Sequence, residues 1–80
     1  MKAKVYVTLK KAVLDPQGKA VERALQRLGY PEVKGVRVGK FIEMELDSKD
    51  REKSSQRIEE MCQKLLSNPV IENAHYEFAD

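Results

Sequence analysis

The chain has 80 residues, room for one domain and no second, and a domain this small gains buried area cheaply by self-association. Its 15 basic and 13 acidic residues leave a formal charge of +2, which excludes the concentrated positive stripe of a nucleic-acid binder. Cys62 is the single cysteine, so an intrachain disulfide is excluded, and no run approaches the roughly 20 apolar residues of a membrane span. A soluble cytoplasmic domain spanning 1–80, without signal peptide, is expected.

From Lys4 to Lys10 the pattern alternates, with Val5, Val7 and Leu9 on one side and Lys4, Tyr6, Thr8 and Lys10 on the other. Period two with β-branched residues predicts a strand with one buried face. Asp15 then caps a helix whose first residue is Pro16, where the missing N–H costs nothing. Ala20, Val21, Ala24, Leu25 and Leu28 form its apolar stripe, and Gly29 closes it. Gln17 and Gly18 are not needed for any of this, and Gly18 weakens the helix it helps to open.

Along "VKGVRVGKFIEMELD", Val36, Val38, Ile42, Met44 and Leu46 share one parity. A two-residue hairpin at Gly39-Lys40 would put apolar and charged residues on one face, so a single strand from Val33 to Asp47 through Gly39 is predicted. Its reach of about 50 Å, at roughly 3.3 Å per residue, exceeds the domain. The expectation is a strand-exchanged two-fold dimer. The first half of the strand would pair with its own first strand under the first helix. The second half would complete the sheet of a symmetry-related chain.

The second helix is expected after Asp47-Ser48, with Ile58, Met61, Cys62, Leu65 and Leu66 buried and Asn68-Pro69 as the stop. The mixed-sign "KDREK" run forms its solvated first turn. A last strand from Val70 to Phe78 places Ala74, Tyr76 and Phe78 on one face. The fold class is α+β in the order β-α-β-α-β, an antiparallel or mixed sheet with two helices on one face, ferredoxin-like.

No catalytic or metal constellation is legible. His75 is expected on a surface or interface, and Cys62 in packing rather than as a nucleophile. "GVRVGKF" falls one residue short of a phosphate loop and has Phe41 where the magnesium-binding hydroxyl belongs. Lys40 is a charge on the apolar parity; either a kink turns it to solvent or it meets an acidic partner. Glu43 and Glu45 line the wet side of the sheet. The aromatics look scattered, without the paired positions of an RNA-stacking sheet.

Lys10, Val13-Leu14-Asp15-Pro16-Gln17-Gly18, Leu28-Gly29-Tyr30, Val38-Gly39-Lys40 and Leu65-Leu66-Ser67-Asn68-Pro69-Val70-Ile71-Glu72 together resemble the PurS family. That family is the small subunit of phosphoribosylformylglycinamidine (FGAM) synthase in purine biosynthesis. The resemblance implies a subunit with no catalytic centre or cofactor of its own. Its partners would be a large ATP-dependent synthetase subunit and a glutaminase subunit, which it would assemble while aiding ammonia transfer. It also suggests a partner interface at Asp15, Gln17, Gly18 and Lys40. The competing expectation is a ferredoxin-like module that binds a regulatory small molecule.

Overall fold

The N-terminal alternation forms β1, Lys2–Leu9, in which Ala3, Val5 and Val7 are completely or almost completely buried. In the computed structural model, which describes residues 1–79, β1 is the middle strand of a three-stranded antiparallel sheet. Asp80, the last residue of the expected domain, lies outside the described residues. On one side runs β2, Lys40–Glu45, and on the other β3, Glu72–Ala79. Val5 stands between Ile42 and Tyr76, which fixes the register of all three strands. Helix α2, Arg51–Met61, crosses one face and closes the core with Ile58, joined by Cys62 just beyond its end. Burying a side chain such as Val5, Val7 or Ile58 contributes about 2 kcal/mol.

Helix α1, Pro16–Arg27, forms as expected, with Asp15 as its cap and Gly29 beyond its end at φ 104°. It does not join α2 on the sheet. Ala20, Val21, Ala24 and Leu28 are exposed and only Leu25 is half-buried, so the expected buried stripe faces outward within this chain. The reason lies in the segments on either side of it. They carry α1 past the end of β1 and lay it along residues 33–38, forming an arm beside the sheet. The radius of gyration is 16.0 Å and the extents are 48 × 27 × 14 Å, against about 12 Å for the radius of a rounded domain of this length.

The long central segment passes Gly39 without a hairpin: Phe41 pairs with Tyr6 of β1 rather than with Val38. Its halves are used in the reverse of the expected way. The second half, as β2, pairs with its own β1, whereas residues 33–38 form no ladder. β1 has ended by then, because the chain turns away after Leu9 through a turn that Val13 N closes on Lys10 O at 2.9 Å. Gly39 is needed at the crossing. A Cβ there would stand 2.6 Å from Val7 O and 3.0 Å from Thr8 Cγ2.

The cap of α2 is Asp50 rather than Asp47 or Ser48, since its carboxylate accepts from Lys53 N at 3.2 Å. Ser48 Oγ accepts from Asp50 N at 3.2 Å and holds that cap in place. Beyond Met61 the helix widens into one π-helical turn, Cys62–Leu66, closed by Ser67 N on Cys62 O at 3.0 Å. The wider turn swings Leu65 out to 83% exposure, which breaks the expected stripe. Asn68 O then accepts from both Ile71 N and Glu72 N, and this turn delays β3 to Glu72 instead of Val70.

Candidate functional site

Asp15, Gln17 and Lys40 line one cleft of about 200 Å³, together with Val38, Gly39 and Glu72. α1 supplies the capping residue and first turn, β2 supplies its first residue, and β3 its first acid. Asp15 is 4% exposed. One carboxylate oxygen accepts from Gly18 N at 2.9 Å, and the other accepts from Val38 N at 2.8 Å. Chiefly the Gly18 amide, then that of Val38, holds the Asp15 carboxyl below its ordinary range, with the Arg37 guanidinium adding to the effect. A single side chain therefore caps the helix and ties it to the segment that leads into β2.

The same geometry explains Gly18. A Cβ at this buried position would collide with Val36 O and stand 2.8 Å from Asp15 Oδ2. The backbone that approaches it is the chain's own. Gly18 and Asp15 thus shape the junction from inside, whereas Gln17 and Lys40 are exposed and present their polar groups at its surface.

Three contributors were not legible as site residues. Glu22 accepts from Gly35 N at 2.7 Å, and chiefly that amide lowers its pKa. Glu22 lies seven residues after Asp15, two helical turns on the same face, and that spacing was the available signal. Gln26 Nε2 continues the row by donating to Val33 O at 3.0 Å. Arg37 Nη2 donates to Lys10 O at 2.8 Å and so ties the arm to the end of β1.

The bare face of the sheet holds a second grouping. Tyr6 pairs with Phe41 on β2 and with His75 on β3. The ring centroids are 5.1 Å apart for Tyr6–Phe41 and 6.1 Å for Tyr6–His75. The aromatics are therefore not all scattered, as the sequence suggested: register brings positions 6, 41 and 75 into one row. His75 is on the surface, as expected. Tyr6 Oη donates to Glu77 Oε1 at 2.8 Å, and that carboxylate raises the pKa of the phenol.

Among the described residues no group of three or more His, Cys, Asp or Glu is placed to hold a metal ion. No helix among them is long and apolar enough to cross a membrane. Cys62 is buried, and burial pushes its thiol pKa up, away from the nucleophilic range.

Residues 2–80 match the family model for PurS, phosphoribosylformylglycinamidine (FGAM) synthase. The chain belongs to the PurS family. It is 51% identical over 76 residues to the phosphoribosylformylglycinamidine synthase subunit PurS of Bacillus subtilis (strain 168), covering 95% of this chain and 89% of that protein. The crystal structure of B. subtilis PurS superposes with a TM-score of 0.87 at 49% identity, over 99% of this chain and 98% of the other. A chain of the PurLQS structure from Thermotoga maritima superposes with a TM-score of 0.85 at 33% identity, over 95% and 93%. The three-stranded antiparallel sheet and two helices are thus the PurS fold, and the junction at Asp15 and Gly18 is built into a PurS chain.

Proposed function

We propose that this chain is the non-catalytic small subunit of FGAM synthase in purine biosynthesis, acting in the cytoplasm to bridge the synthetase and glutaminase subunits. The observation that carries the reading is the match over nearly the whole chain to PurS subunits, one of them within a PurLQS assembly. In such a complex the synthetase uses ATP to activate the amide oxygen of its substrate, and the glutaminase releases ammonia. The small subunit holds the two in register and aids the passage of ammonia between them. Gln17 and Lys40, exposed beside the rigid Asp15–Gly18 junction, are the side chains through which this end of the molecule meets a larger subunit.

The working form is a two-fold dimer built by exchange, and the ferredoxin-like arrangement is completed across it. α2 covers β1 but leaves an open groove of about 550 Å³ along its flank, with Leu46 and Met61 as its apolar floor and a polar rim that includes Lys53, Gln56, Arg57 and Glu60. β2 is an edge strand, and residues 33–38 lack a ladder. The arm of a second copy supplies what each lacks: an apolar helical stripe for the groove and a strand for the edge. It is the first half of the long segment, with α1, that crosses to the partner. Co-purification from native cytoplasm tests the assembly, and recovery of a synthetase and a glutaminase is the expected result. Recovery of neither, together with saturable binding of a metabolite to the isolated chain, would favour a regulatory small-molecule module instead. Sedimentation at micromolar concentration tests the dimer, which a stable monomer would refute.

A further inference from the structure

The aromatic row on the bare sheet face is not used by the core, the arm or the junction. The chain has three tyrosines and two phenylalanines, and two of these five stand in this row beside the single histidine. Phe41 is 52% exposed and Tyr6 36% exposed. Strand propensity does not require rings there, since threonine serves an exposed strand position as well. Exposed aromatics grouped in this way mark contact surfaces more often than isolated ones do.

Two classes of partner stack on such a row, nucleic-acid bases and cationic side chains, and the neighbouring rows decide between them. Next to Phe41–Tyr6–His75 comes Glu43–Lys4–Glu77, and then Glu45–Lys2–Ala79. Three carboxylates surround two ammonium groups, and each lysine has an acid directly across from it. With the amino terminus of Met1 beside the last row the face carries no net positive charge, so a phosphate backbone finds no attraction there. A guanidinium meets attraction twice, from the negative faces of the rings and from the carboxylates beside them. Its planar shape suits a stacked site better than a lysine ammonium.

We propose that this face docks an arginine-bearing surface of one of the larger subunits, with Phe41 and Tyr6 as the stacking platform and Glu43 and Glu77 as its charge partners. The row is about 10 Å across, three strands at roughly 4.8 Å spacing. That is the footprint of one anchor side chain and its surround, the form that the strong centre of an interface takes. The proposal rests on the assembly reading above, but it concerns a face that the two-fold exchange does not use.

The test is titration of the purified dimer with the purified synthetase and glutaminase subunits of the same organism, for wild type, Phe41→Thr and Glu43→Gln. Phe41→Thr keeps a strand-forming residue on the bare face of β2, and circular dichroism and sedimentation check that each variant is folded and still dimeric. The expected result is binding weakened about 30-fold by Phe41→Thr, the loss typical of an interface anchor, and a shallower salt dependence in Glu43→Gln. Binding by both variants equal to that of wild type overturns this proposal alone. Failure of the wild type to bind either subunit overturns it together with the assembly reading. A uridine oligonucleotide that shifts the Tyr6 and Phe41 ring resonances at physiological salt, where N-acetylarginine amide does not, overturns it in favour of RNA.

Discussion

The sheet with α2 and the arm with α1 are held together by different forces. In the first, Ala3, Val5, Val7 and Ile58 are at most 1% exposed, and the bonds that matter are apolar contacts and strand ladders. In the second, the ties are polar: Asp15 to Gly18 and Val38, Glu22 to Gly35, Gln26 to Val33. Meanwhile its apolar side chains Val21 and Leu28 remain 41% and 73% exposed. The sheet unit closes its apolar core within one chain. The arm has a settled polar side and an unfinished apolar side, which is what half of an interface looks like before its partner arrives.

Substitutions can break this contrast, and the largest effect belongs in the core. Ile58→Ala removes a fully buried side chain and should cost about 3 kcal/mol in denaturant unfolding, because little around it can collapse into the space. Gly18→Ala should cost about 2 kcal/mol, the scale of an overpacked contact. Its loss should fall on the arm: amide exchange should quicken for residues 33–38 and α1, with β1 and β3 unchanged. Equal loss of protection in the sheet would show that the two units do not open separately.

Acid sharpens the comparison further. The folded-state pKa values of Asp15 and Glu22 are both depressed, so their contribution is present above the unfolded values, about 3.9 and 4.3. It is lost as the pH falls through the lower folded values. Below about pH 4 the arm should loosen before the sheet melts, seen as early loss of protection at the Val38 amide. Asp15→Asn keeps a capping oxygen but offers Val38 no second acceptor, and it should flatten that acid transition. The smallest effect on the fold of one chain is expected from Val21→Lys, within roughly 0.5 kcal/mol as for an exposed site. The same change should shift sedimentation toward monomer if the proposed dimer forms, since it places a charge on the stripe that the groove of a second copy would receive.

How much of this was legible depended on how local each signal was. The alternation at Val5 and Val7 carries its own strand, which runs Lys2–Leu9 rather than from Lys4 to Lys10, and Asp15-Pro16 with Gly29 brackets its own helix, which stands where expected. The start of α2 was missed because Asp47, Ser48 and Asp50 are all competent caps and the first deeply buried residue of its apolar stripe, Ile58, comes too late to choose among them. The stripe on α1 announced an apolar face without naming what would cover it. Gly18 is surplus to the helix, yet the carbonyl that requires it belongs to Val36, 18 residues further along the chain. The row of Tyr6, Phe41 and His75 depends on strand register across three distant segments, and no local pattern encodes that.

The thinness of the molecule bears on how its sequence is free to drift. In a slab 14 Å through at its narrowest, few side chains have neighbours on every side, and among the described residues only five apolar side chains are buried. A substitution elsewhere is met first by whatever lies against the slab and only second by its own packing. Inheritance of such a chain is therefore policed from outside: once its handful of interior positions is satisfied, the subunits around it decide which variants persist.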